Sequence, residues 1–475
     1  MDDEARKKQL VGILSTLEKA PIKATPAGIR KLAQQRGLEV FGEDLSEGKR
    51  ISLGGSTILI DIDMLTAPVD KVVRVSVSVD AKVAPSDASK SYTNPEISPS
   101  INDVLLNSLQ ASKLDKFARH LAFLSDMERL SSEQCNSFRV VDEIATVLFN
   151  LYDKKIKTKN DSTSNSTNVS SNASSEVNAY CTSFGQPLLN YDEHLGLFLK
   201  YWSTQHKVRD AEKAAVSAEY IAEFGLRENS GDSHARYSTN WIDASGNWLE
   251  VAPQDPSAEF VLRLSPPVLM NRDLASKLGA SFNVVGKETE TPFELLGNTF
   301  YRSFREVHTS ETDSVRVNVE YSNLVAQDEL VSVTEVPVDH PRSLEKLFDV
   351  LRAQIQLSTV LESVLIKDSM LGQEELDTND NVLVEELLNA SVEQNADEAQ
   401  KLPLTVSLGD NNGLLSLSVE VHSWKTWFDV IIDGGKLKVA NVHPAEGKQV
   451  DVKKLEALLG FSEDLALSVI LARAK

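Results

Sequence analysis

Gly185 to Trp202, reading GQPLLNYDEHLGLFLKYW, constrains the fold more than any other stretch of the chain. Tyr191, Leu195, Phe198 and Trp202 fall at i, i+4, i+7 and i+11, the spacing of one apolar stripe on a helix. Asn190 is suited to cap the first amides, Glu193 to reach back to it, and Asp192 to complement the positive end of the helix dipole. The spacing therefore predicts a helix over 191–202, widened by Leu188, Leu189, Leu197, Leu199 and Tyr201, that must be buried against something. Tyr191, Leu195 and Phe198 are expected to face the chain's own core. His194, Tyr201 and Trp202, on the flank, are the candidate partner contacts.

This stretch resembles the signature of subunit 1 of the Mediator complex, the coactivator that links transcription factors to RNA polymerase II, in its fungal form. Leu114 to Ser131 (LDKFARHLAFLSDMERLS) and Phe138 to Asp153 (FRVVDEIATVLFNLYD) are similar to the two helices that precede it in that family. Phe260 to Gly279 and His340 to Leu365 match its sheet-edge and long-helix segments in type and order. The likeness covers roughly residues 20 to 370 and fades beyond Gln400. It implies nuclear residence and a place in the middle module beside subunits such as 4, 7 and 9. It also implies a role in relaying activator or repressor signals to RNA polymerase II, with no catalysis and no cofactor.

A chain of 475 residues with 41% hydrophobic content can bury at least two cores. The element pattern predicts a multi-domain α+β protein. Helices are expected at 4–19, 26–36, 101–130 and 138–155, and β-branched runs at Arg50 to Ile62 and Val72 to Val79 read as an antiparallel hairpin. Further strands are expected at 218–226 and at 258–264, the latter ended by Pro266 and Pro267. A short helix at 271–279, a strand pair at 315–323 and 329–338, and a helix from Arg342 to about Leu365 follow. Four strands between 403 and 442 and two helices close the chain. The expected units are a domain over 1–156, a Ser/Asn-rich disordered insert at 157–178, a central domain at 179–367, an acidic linker at 368–400 and an α+β unit at 401–475, with a hint of repeated strand-strand-helix-helix units.

Forty-nine basic against seventy acidic residues give a net charge of −21, which repels nucleic-acid phosphate and disfavours direct DNA binding. The first residues, MDDEARKKQL, lack a signal-peptide core and no long apolar run follows, so a soluble intracellular protein is expected. Cys135 and Cys181 are too few for a disulfide framework or a zinc site. Without a secretory signal, the glycosylation-like triplets at Asn160, Asn165, Asn168 and Asn172 read as products of composition.

Chemical motifs are few. Asp61-Ile62-Asp63 follows an apolar run as the paired aspartates of haloacid-dehalogenase-type phosphatases do, which frames a hydrolase alternative using Asp61 and Asp63. Met64-Leu65 departs from that pattern, and the run precedes a hairpin instead of a helix. Gly54-Gly55-Ser56-Thr57 lacks the lysine of a phosphate loop and reads as a tight turn. The eight histidines include no pair at i and i+4, and no Gly-x-Ser-x-Gly elbow occurs. Leu455-Glu456-Ala457-Leu458-Leu459 has the Leu-x-x-Leu-Leu form used by coactivators on receptor grooves, but the same spacing writes an ordinary core helix, the reading adopted for it.

Overall fold

A computed structural model describes residues 25–65, 71–79, 99–111, 113–131, 136–163, 184–203, 219–228, 258–285, 300–308, 314–325, 329–365, 401–411, 414–433, 436–443, 451–462 and 464–472. The expected helix at 4–19 and the expected acidic linker at 368–400 lie outside them. Helices and three sheets coexist, in agreement with the α+β class.

The N-terminal layer begins at α1, Pro26–Gln35, where the Thr25 hydroxyl accepts from Gly28 N at 3.1 Å and proline takes the first helical turn. Where the sequence predicts a hairpin, four strands form a meander in the order β1-β2-β3-β4: β1 (Glu39–Leu45), β2 (Gly48–Gly54), β3 (Ile58–Leu65) and β4 (Lys71–Val79). β1 escapes sequence reading because its two faces are both largely exposed, so it lacks the half-buried alternation that marks a strand. Ile51, Leu53, Ile60 and Ile62 pack on α2 (Ile101–Gln110) and α3 (Asp115–Arg129). The free side of β4 is closed by α2, where Asn102 Oδ1 accepts from Val77 N at 2.9 Å.

α4, Ser137–Thr163, buries Val141, Ile144, Leu148 and Tyr152 as its period predicts. It continues through Lys157–Thr163, where the sequence predicts disorder; residues 164–178 of that insert lie outside the described residues.

The second sheet has the order β5-β6-β7-β8-β12-β9, with β5 at Gln186–Leu189, β6 at Leu197–Ser203, β7 at Glu219–Glu228, β8 at Ala258–Asn271, β9 at Ser281–Val284 and β12 at Leu330–Val338. The predicted short helix is present as α5, Arg272–Lys277. Pro266 and Pro267 do not end β8. Its pairing with β12 jumps from Arg263–Glu335 to Val268–Val333, so both prolines lie in a bulge where the ladder asks for no amide donor.

The third sheet has the order β10-β11-β13-β14-β15-β16: β10 (Phe300–His308), β11 (Ser314–Asn323), β13 (Lys401–Asn411), β14 (Leu414–Val421), β15 (Thr426–Asp433) and β16 (Lys436–His443). Two expectations need correcting here. The strands near 315–323 and 329–338 do not pair with each other but belong to different sheets, and β11 instead runs parallel to β13. A unit beginning at 401 is therefore not self-contained, since its first strand completes a ladder begun eighty residues earlier. α6, Leu344–Leu365, joins the two sheets. Its Leu344, Phe348, Leu351 and Ile355 enter the core of the second, and Leu357, Val360 and Leu361 that of the third. α7 (Val452–Ser462) and α8 (Leu465–Ala472) cover the third sheet, which has six strands against the four of the first and includes a parallel pair, so the hint of repeated strand-strand-helix-helix units is not confirmed.

Candidate functional site

The 185–202 stretch is a β-hairpin, not a helix. β5 and β6 pair antiparallel from Gln186–Lys200 to Leu189–Leu197, and between them Tyr191–Glu193 makes one 3-10 turn. Three features of the sequence force this. Gly185 has φ +89, and a Cβ there would stand 2.8 Å from Lys200 O. Gly196 has φ +125, beside the Phe123 ring. Asn190, at φ 53, places its side chain across the loop mouth: its Oδ1 accepts from Gly196 N at 3.1 Å, and its Nδ2 donates to Pro99 O at 2.9 Å. Asn190 thus clamps a hairpin instead of capping a helix. Leu197, Leu199 and Tyr201 alternate into the core of the second sheet.

Asp192 and Glu193 also have positive φ, 49 and 61, a backbone region that costs non-glycine residues roughly 1–2 kcal/mol each. The loop is held there by α3. Lys116 pairs with the Glu193 carboxylate and His120 Nε2 lies 2.6 Å from the Glu193 carbonyl, donating to it. The Lys116 ammonium holds the Glu193 carboxyl below its ordinary range, whereas burial holds the His120 imidazole below its own, so the ring stays neutral. Leu195, buried, inserts into the N-terminal core beside the α3 side chains. The hairpin is thus a tenon from the second sheet into the first layer, and Arg129 of α3 adds an ion pair to Glu228 of β7.

Tyr201 and Trp202, expected as partner contacts, are buried. Tyr201 is fully enclosed, stacked on Phe348 at 4.6 Å with its carbonyl accepting from Arg352 Nε at 3.0 Å. Trp202 lies within the same core. The helical stripe assigned them to a flank that a strand does not have. Leu195 and Phe198 are buried, Tyr191 half-buried with its ring 6.3 Å from Phe198, and His194 is exposed at the loop tip.

The sequence model of the family described as Mediator of RNA polymerase II transcription subunit 1 matches residues 8–366. The chain belongs to this family. A Schizosaccharomyces pombe protein of the same description is 28% identical over 184 residues, which make up 38% of this chain and 35% of that relative. The match therefore spans about a third of the relative's length.

In this Mediator subunit 1 family member the other sequence motifs take structural places. Asp61 and Asp63 lie on β3, inside an antiparallel meander and not at the end of a parallel strand. Ser52 Oγ donates to Asp61 at 2.6 Å; Arg50 Nε and Nη2 donate to Asp63 at 2.6 and 3.1 Å and hold its carboxyl below the usual range. The Gly54–Thr57 turn receives a carboxylate of the chain itself: Thr57 N donates to Glu128 at 2.8 Å and Ser56 Oγ at 3.1 Å, and a Cβ on Gly55 would strike that carboxylate at 2.1 Å. Leu455 and Leu459 are buried in the third core and Leu458 packs against it, so the Leu-x-x-Leu-Leu spacing is core packing. Among the described residues no group of three or more His, Cys, Asp or Glu could hold a metal ion, and no helix is long and apolar enough to cross a membrane.

The sequence reading missed the charged ladder on the second sheet. Arg227 pairs with Glu259 and Glu335; Arg263 pairs with Glu223 at 2.8 Å and Glu335 at 3.2 Å. Gly225 makes room for it, since a Cβ would lie 2.9 Å from the Arg263 guanidinium. The signal available was the same-face spacing Glu223-x-Gly225-x-Arg227 opposite Glu259-x-x-x-Arg263.

Proposed function

We propose that this chain is a non-catalytic subunit of the Mediator coactivator complex, acting in the nucleus as a scaffold in the middle module beside subunits such as 4, 7 and 9 and relaying regulatory signals to RNA polymerase II. The observation that carries the reading is the family match over residues 8–366. The build of the molecule agrees with it. Three sheets are fixed to one another by a shared helix and a loop tenon, which suits a part that transmits position, and the paired aspartates are occupied by Ser52 and Arg50. His194, exposed beside the joint between the first and second layers, is the proposed contact with a neighbouring subunit. The net charge of −21 favours protein partners over nucleic acid. Affinity purification of the tagged chain with mass spectrometry tests the reading: subunits of the middle module are expected in near-stoichiometric amounts, and their absence overturns it. Reduced recovery of one of them with His194→Ala, at unchanged melting temperature, is the expected sign of the proposed contact.

A further inference from the structure

The N-terminal sheet has one packed face and one open face. Among the described residues six large apolar side chains are substantially exposed, and three of them, Phe41, Leu59 and Val73, are on this sheet. Phe41 is 56% exposed on β1 and its ring lies over Gly54, 3.5 Å from where a Cβ would stand, next in register to Leu59 at 40% exposure. β1 is also an edge: it pairs with β2 along one side, and no described strand pairs with the other. β4, the opposite edge, is closed by side chains of α2.

The chemistry along β1 says what would fit. Its outward face reads Glu39, Phe41, Glu43, Leu45, carboxylate alternating with apolar side chain. Behind Glu43 the register continues through Arg50, Asp63 and Arg74, a row in which charges compensate. Behind Glu39 come Gly54, Leu59 and Ser78, and behind Phe41 come Ser52, Asp61 and Ser76, so these two rows hold two carboxylates and no cation. Directly opposed side chains on neighbouring strands interact most strongly, with opposite charges attracting and like charges repelling. A second copy brings the same acidic strand on a chain of net charge −21 and is repelled. An added strand that alternates Lys or Arg with apolar residues meets Glu39 with a cation and Phe41 with an apolar side chain.

We propose that β1 is a strand-addition site, on which an extended segment of another Mediator subunit, alternating basic and apolar residues, pairs as a fifth strand of the N-terminal sheet. The proposal rests on the chain's membership of the complex argued above, and it names the surface and the kind of segment that membership uses.

The test places a photo-crosslinking phenylalanine analogue at position 41, and in a second variant at 59, of the tagged chain purified within Mediator. An adduct to a stretch of another subunit rich in Lys or Arg alternating with apolar residues is expected. Glu39 lies opposite Gly54 and has no ion pair among the described residues, so Glu39→Lys leaves the fold intact and should cut the adduct yield about fivefold to tenfold, with Glu39→Gln in between. No adduct from either position in an intact complex overturns the proposal. So does an adduct to an acidic stretch, to a second copy or to this chain's own residues 1–24, or a yield indifferent to Glu39→Lys. If the tagged parent carries no Mediator subunits before irradiation, membership itself fails and the proposal with it.

Discussion

Replacing Tyr201 separates the hairpin from the helix more sharply than any other change. On a helix its flank position makes it a partner contact whose loss leaves stability alone; on β6 it is fully buried between Phe348, stacked at 4.6 Å, and Tyr220, edge-on at 6.4 Å. Truncating a buried aromatic side chain to alanine costs about 3–5 kcal/mol, and loss of the stacked geometry is worth about 0.5–1.5 kcal/mol, part of which that figure already contains. We expect Tyr201→Ala to lose about 4 kcal/mol, a fall of roughly 10 °C in Tm for a cooperative unit of this size. Tyr201→Phe should stay within about 1 kcal/mol of the parent, because the hydroxyl it removes is buried without a partner among the described residues. Burial also pushes the phenol far above the ordinary tyrosine range, so its ionisation should be missing from an ultraviolet alkaline titration of the folded chain. Calorimetry on both variants decides: a Tyr201→Ala protein that melts within about 1 kcal/mol of the parent behaves as a surface residue does, and the strand placement is then wrong.

Other expectations follow from the same contacts. Burial raises the Glu362 carboxyl on α6 to about 7, so the native state holds an extra proton between the unfolded value, about 4.3, and that pH; stability should decline across this window by roughly 3 kcal/mol, and Glu362→Gln should flatten the slope in urea melts at stepped pH. His120 shows the opposite sign, its depressed folded value making stability fall as pH drops below about 6.5, a dependence that His120→Gln should remove from the same melts. Leu459→Ala, deleting a buried side chain of α7, should cost about 2–5 kcal/mol, and a variant that melts like the parent but loses a partner refutes the core placement. Ending the chain at residue 366, where the family match stops, strips β11 of its parallel neighbour and bares Val317, Val319 and Tyr321; limited proteolysis should then cut β10 and β11 as readily as loops.

Much of the fold was legible because most segments carry a single period. α4 and β13 to β16 were readable from spacing alone, since each buries one face against one layer, and α6 was readable from its leucine spacing although it enters two cores. The signature stretch misled because both faces of β6 are covered, leaving nearly continuous apolar residues in which a 3.6-residue stripe occurs by coincidence. The discriminating signal was Gly185, Asn190 and Gly196, residues that tolerate positive φ and punctuate a hairpin where a helix would want none of them. Pairing across long separations is a different loss. Nothing local in β11 says that its neighbour is β13 and not β12, because partner choice is made by the cores on either side of α6.

Within the residues matched by the family model, 185–202 takes structural places. Gly185, Asn190 and Gly196 make the hairpin possible, Leu195 plugs the N-terminal core, and Tyr201 joins β6 to α6. The stretch is thereby constrained from two layers, Glu193 answering to Lys116 and His120 of α3 and Tyr201 to Phe348 and Arg352 of α6. Among the described residues, no second layer meets surface residues such as Glu39 and Phe41. On the strand-addition proposal their identity is set by the added segment, and partner recognition is to be sought on β1 and not on 185–202.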